Sequence, residues 1–210
     1  MPELTLRKII KRYGSNTILE LEEWKVTNGS YWIKGGNGKG KTTLFKLIAG
    51  QTPFTGTIEI DNIFLHKNPV AYRSKISYAE AEPQYPDFLT GNELLDYYID
   101  IKKADQKSAA ILTDQFKMTA FMDNKVSTYS SGMLKKLSLI LAFTGETELY
   151  IFDEPLITID KEATAVLYQL INTRKHEGKT ILISSHQEID ATTLTLNGIF
   201  EIDNQKVIRC

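Results

Sequence analysis

The sequence predicts an α/β fold, and three observations carry that reading. Short β-rich runs fill the first third, residues about 93–143 follow a helical period, and the stretch 149–184 alternates apolar strand, amphipathic helix and apolar strand. At 210 residues, with 42% hydrophobic and 24% charged side chains, the chain has the length of one large domain or two small ones and enough apolar material for a real core.

In the first third, residues 4–8, 30–34 and 56–60 are β-rich runs separated by Gly, Asn and Pro, which predicts an antiparallel sheet. Beyond Glu93, Leu94, Leu95, Tyr98 and Ile101 recur at spacings of three and four, and the helical pattern continues to Phe143. Residues 149–152 and 180–184 read as buried strands flanking a helix over 161–177. Its Ala163, Val166, Leu167, Leu170 and Ile171 form one apolar stripe, and Gly178 serves as its C-cap. Strand, helix and strand in that order predict a parallel βαβ unit. Residues 198–202 and 206–208 close the chain as a hairpin around Asp203-Asn204. No internal repeat, low-complexity tract or linker interrupts this order.

Charge and composition remove several classes of function. Lys and Arg total 25 against 26 Asp and Glu, so electrostatics give no reason to expect nucleic acid as the main partner. The only cysteine, Cys210, excludes an internal disulfide and fits a reducing compartment. The longest near-continuous apolar stretch, 137–143, is far shorter than the roughly 20 residues that cross a bilayer. Met1-Pro2-Glu3-Leu4 has no basic segment leading into an apolar one, so a cytoplasmic location is expected.

Gly35-Gly36-Asn37-Gly38-Lys39-Gly40-Lys41-Thr42 fits a phosphate-binding loop, with strand-like Tyr31-Trp32-Ile33 before it and a helical run from Thr43 after it. Glycines let successive backbone N–H groups converge on a phosphate, and the helix N-terminus adds favourable partial charge. Lys41 is expected to meet the β- and γ-phosphates, Thr42 to ligate Mg²⁺, and Thr43 to border the same site. The alternative, a glycine-rich turn ending in a solvated lysine, does not account for the flanking strand and helix.

Leu149-Tyr150-Ile151-Phe152 ends in two carboxylates, Asp153 and Glu154. Beside a phosphate loop, Asp153 is expected to hold Mg²⁺ directly or through water, and Glu154 to polarise the attacking water as general base. Taken alone, the pair would be an ordinary strand end or helix N-cap. Tyr129-Ser130-Ser131-Gly132-Met133 precedes an amphipathic helix carrying Met133, Leu137 and Leu141. Two hydroxyls and a glycine at a helix start make an anion site or, more simply, a cap.

The phosphate loop at Lys41, the serine-glycine segment at Ser130, the acidic strand end at Asp153 and His186 in Ser184-Ser185-His186 resemble, in order and spacing, an ATP-binding-cassette (ABC) ATPase over the whole chain. The resemblance implies a P-loop NTPase core with an N-terminal antiparallel β subdomain and an inserted α-helical subdomain at about 84–143, in a single nucleotide-binding domain spanning 1–210. It implies that Ser130 and Gly132 match the family signature, which binds the γ-phosphate of a nucleotide held by the opposite subunit. By the same resemblance Asp160 is the aspartate of the D-loop, His186 contacts the γ-phosphate, and Tyr13 stacks on adenine. The family glutamine at the end of the strand 75–78 falls near Ala81, where the sequence reads Ala79-Glu80-Ala81-Glu82-Pro83-Gln84. Glu82, Gln84 or neither takes its metal or water contact, with Glu82 preferred as nearer the strand end.

The resemblance further implies ATP and Mg²⁺ as cofactors, a homodimer formed on ATP binding, and a separate transmembrane permease that holds the chain at the inner membrane face. Short length without an appended C-terminal regulatory domain favours an exporter. A soluble ABC ATPase acting on ribosomes or DNA is the second reading, but its tandem cassettes or long coiled coil are missing. A P-loop kinase or GTPase is the third, and Asn124-Lys125-Val126-Ser127 lacks the aspartate of a guanine-reading motif.

Overall fold

A computed structural model describes residues 3–190 and 192–210. In chain order the elements are β1 (Leu4–Tyr13), β2 (Asn16–Val26), β3 (Gly29–Lys34), α1 (Lys41–Ile48), β4 (Thr55–Ile60), β5 (Ile63–Phe64), α2 (Pro69–Arg73), β6 (Ile76–Ala79), α3 (Gly91–Lys102), α4 (Gln106–Gln115), α5 (Ser131–Phe143), β7 (Leu149–Phe152), α6 (Lys161–His176), β8 (Thr180–Ser184), β9 (Gly198–Asp203) and β10 (Lys206–Arg209). They form two compact units. The first comprises the chain through Tyr78 with Thr147–Glu154 and Ile171–Cys210, and the second comprises Ala79–Glu146 and Pro155–Leu170.

The first unit holds two sheets. One is antiparallel in the order β2-β1-β4-β5; the other has the order β10-β9-β3-β8-β7-β6, with β3 parallel to β8 and β9, and β7 parallel to β8. The run 30–34 therefore leaves the antiparallel sheet expected for it and lies inside the parallel one. Its burial explains the placement: Gly29 through Ile33 are all buried, as in a strand covered on both faces. The βαβ unit β7-α6-β8 and the closing hairpin β9-β10 stand where the sequence puts them.

β2 has no counterpart in the sequence reading, and β1 runs five residues past the predicted end. The reason is a change of face. Leu4 and Leu6 are buried and then Ile9 and Lys11; on β2, Leu19 and Leu21 are buried and then Trp24 and Val26. Lys8 adopts a left-handed conformation, φ 51°, at the switch, and the period-2 pattern breaks there in both paired strands.

The core of this unit joins both sheets to α1, which buries Leu44, Phe45, Leu47 and Ile48. The buried Tyr72 hydroxyl donates to the Ile48 carbonyl at 2.9 Å and secures the end of α1, and burial pushes its phenol pKa up.

The second unit is helical apart from its loops. Thr90 and Glu93 form a reciprocal capping box on α3, with bonds of 3.1 and 2.7 Å, and Asp105 caps α4 through Ser108. α5 is apolar along most of its length, with Leu137, Leu139, Ile140, Leu141 and Phe143 buried. Of the predicted α3 stripe, Leu94 and Leu95 are buried and Tyr98 is half-buried. Ile101 is 61% exposed in the last turn, before Lys103 leaves the helix at φ 51°.

Candidate active site

The phosphate loop lies between the end of β3 and the start of α1 in the first unit. Gly40 is the N-cap of α1 with φ 104°, a conformation that disfavours any residue with a Cβ. No side chain caps the helix start, and the partial positive charge of a helix N-terminus suits an anion there. Lys41 is 6% exposed. Its ammonium donates to the Gly35 carbonyl at 2.6 Å and lies 3.4 Å from His186 Nε2 and 3.7 Å from Glu154 Oε1. Burial holds its pKa below the usual lysine value, and the charges of Glu154 and Asp153 oppose that shift.

The two carboxylates are fixed by groups outside their own strand. Asp153, fully buried, accepts from Ser184 Oγ at 2.6 Å and from the Tyr78 hydroxyl at 3.3 Å. Glu154 sits at φ 47°, and its backbone N–H donates to the same Ser184 Oγ at 2.9 Å. Its Oε2 accepts from the His186 N–H at 3.0 Å. Its Oε1 is buried 3.1 Å from His186 Nε2 and makes no hydrogen bond. This oxygen therefore lies between the Lys41 ammonium and the His186 ring without a hydrogen bond of its own.

Lys41, Asp153, Glu154 and His186 thus meet in one centre, joined by residues the sequence reading did not single out. Ser184 was visible only as a polar end to an apolar strand, and Tyr78 had no signal. Trp32 donates through Nε1 to the Ser185 carbonyl at 3.3 Å and steadies the backbone before His186. Replacing Ser184 by Ala removes the donor 2.6 Å from Asp153 Oδ1 and the acceptor 2.9 Å from the Glu154 N–H, both in buried surroundings. Urea denaturation is expected to show a loss of about 1–3 kcal/mol for this variant.

Thr42 is exposed and Thr43 half-buried in the first turn of α1. Lys39 is exposed and pairs with Asp203 at 3.3 Å. Tyr13 is 51% exposed with the Lys11 ammonium 4.2 Å from its ring centroid.

Ser130, Gly132, Asp160 and Glu82 belong to the second unit. There Ser130 caps α5 by accepting from the Met133 N–H at 3.3 Å, and Lys136 pairs with Asp160 at 2.5 Å. A Cβ at Gly132 would stand 2.7 Å from the Thr158 carbonyl oxygen, so glycine is needed for that approach. Glu82 is exposed in the loop after β6.

A phosphate loop at a parallel-strand end, facing an acid pair and a histidine, defines a P-loop nucleotide triphosphatase. The family model described as ABC transporter matches residues 23–157. Among similar proteins, the ABC-type transporter ATP-binding protein EcsA of Bacillus subtilis (strain 168) is 29% identical over 192 residues, covering 89% of this chain and 78% of its own. The cytochrome c biogenesis ATP-binding export protein CcmA of Haemophilus influenzae is 26% identical, covering 91% and 92%. A solved structure of the ATP binding subunit of an ABC transporter superposes with a TM-score of 0.89 at 26% identity, covering 97% of this chain and 87% of that one. The chain belongs to the ABC transporter family. It is an ATPase subunit of that family, with the mixed α/β fold its sequence predicts.

Proposed function

We propose that two copies of this chain close over ATP and Mg²⁺ and, by hydrolysing the ATP, drive a separate transmembrane permease, in the direction of export. The chain is then peripheral on the inner membrane face. The observation that carries the reading is the Lys41 centre, where a cation, two carboxylates and a histidine converge with Glu154 Oε1 left unbonded. Lys41 neutralises the β- and γ-phosphates, Glu154 accepts the proton of the attacking water, and His186 meets the γ-phosphate.

The Mg²⁺ site is read from its donors. Among the described residues no group of three or more His, Cys, Asp or Glu side chains is placed to bind a metal. One hydroxyl, Thr42, and one carboxylate, Asp153, fit an ion that takes most of its ligands from phosphate and water. When bound, Mg²⁺ spreads the charge of the phosphates. Tyr13 offers its exposed ring to adenine. Ser130 and Gly132, at the N-terminus of α5, meet the γ-phosphate bound to the second copy, with Asp160 at the same junction. The chain acts as one nucleotide-binding domain whose helical part spans about 84–143.

The permease and the direction of transport are supported by the relatives, one of which is named an export protein. Among the described residues no helix is long and apolar enough to cross a membrane. Affinity purification of the tagged chain from detergent-solubilised membranes is expected to bring down a membrane-spanning protein and ATPase activity together. Recovery with ribosomes or DNA and no membrane protein would favour the soluble reading.

The loop after β6 is tested by Glu82→Ala and Gln84→Ala. The side chain that reaches metal or water should lose turnover at saturating ATP, and we favour Glu82; the other should stay within about twofold. Normal hydrolysis by both, with and without the permease, would remove this loop from the mechanism.

A further inference from the structure

Lys135 lies on α5, one turn beyond Ser130 and Gly132, and is 2% exposed. Its ammonium donates to the Glu80 carbonyl at 2.8 Å and to the Ala81 carbonyl at 2.6 Å. Those carbonyls follow the last residue of β6, where the chain has left the sheet and forms no helix. Taking an ammonium out of water carries a large desolvation cost, and a leucine or methionine here would extend the apolar surface of α5 without it. What the charge supplies is a hold on two backbone oxygens that have left their ladder. The segment held is the one that occupies the place of the family glutamine.

We propose that Lys135 is a positioning residue for ATP hydrolysis: it fastens the turn at Glu80-Ala81 to the helix headed by Ser130 and Gly132, so that turn and helix move as one piece. α5 is regular from Ser131 onward, so a displacement of the turn passes through the ammonium to the helix start, about 7 Å away along the axis. This rests on the reading that Ser130 and Gly132 serve the nucleotide of a second copy. The contact therefore matters for turnover in the closed dimer and not for binding to the Lys41 centre.

The test compares Lys135→Met and Lys135→Arg in the full chain, using a non-hydrolysable ATP analogue for affinity, saturating MgATP for turnover, and amide hydrogen exchange without nucleotide. Lys135→Met is expected to bind the analogue within about twofold of the parent and to lose turnover by about tenfold or more. Exchange should rise at residues 79–84 while residues 35–42 keep their protection. Lys135→Arg retains the cation and should restore turnover to within about threefold.

Turnover of Lys135→Met within about twofold of the parent overturns the proposal. So does a rise in exchange spread evenly over the chain, or an arginine variant no better than methionine. If Lys135→Met does not fold, Lys135→Gln takes its place against Lys135→Arg with the same two outcomes. A parent chain that hydrolyses no ATP contradicts the proposed function instead, whereas the Glu80-Ala81 hold is judged from exchange alone.

Discussion

Lys41→Ala is expected to cut ATP turnover by about 100- to 1000-fold or more and to weaken ATP binding, with the fold left standing. The ammonium is the one full positive charge that the loop directs inward, held at 2.6 Å by the Gly35 carbonyl beside Glu154 and His186. Burial lowers its pKa, so in the nucleotide-free protein the charged form is less favourable folded than unfolded. Below the folded pKa that charge is a cost to stability, partly offset by Glu154 and Asp153, and phosphates in the proposed site would offset it further. Deleting the charge removes that cost but also takes the cation from beside the buried Glu154, so the thermal midpoint of the free protein is expected to fall by several degrees. Titration of the variant with MgATP checks the binding, and a phosphate-release assay the turnover. Near-normal turnover would mean that the loop does not hold the reacting phosphates.

Glu154→Gln is expected to retain ATP binding and to lose turnover by about 100- to 10,000-fold, the range over which a general base contributes. The substitution is close to isosteric. Oε2 accepts from the His186 N–H, and an amide oxygen can take over that bond at the same 3.0 Å. Oε1, buried without a hydrogen bond, is the atom whose basicity disappears. Lys41 also loses the neighbouring charge at 3.7 Å, which the phosphates of ATP would replace in the proposed site. A single-turnover experiment separates the effects: the affinity should be close to that of the parent and the chemical step slow. Turnover within about tenfold of the parent would place the base elsewhere.

How much of this was legible in the sequence depended on the range of the contacts involved. The phosphate loop is local, eight consecutive residues between a strand and a helix, and its geometry follows from glycine spacing and the α1 N-terminus. The acid pair was legible because four apolar residues end in two carboxylates, a pattern that is an ordinary strand end by itself and points to a site only beside the phosphate loop. Ser184 was not, because its bonds to Asp153 and Glu154 span 31 and 30 positions and depend on β7 lying beside β8. Lys135 was missed for a similar reason: on a helical period it reads as a solvated lysine, and only the fold brings Glu80 and Ala81 to it. β3 was assigned to the wrong sheet because a short apolar run records burial and not its partner strands. β1 was cut short and β2 was missed because the turn of backbone at Lys8 shifts the alternation in both at once.

The claim that joins these parts is that one copy supplies the Lys41 centre, a second supplies Ser130 and Gly132, and ATP holds the two together. Sedimentation velocity of the Glu154→Gln variant tests it most directly, since a slow chemical step keeps the bound ATP intact during the run. The variant should sediment as a monomer without nucleotide and shift to a dimer at saturating MgATP. A single monomeric boundary at saturating MgATP, with binding of the nucleotide confirmed separately, would contradict it.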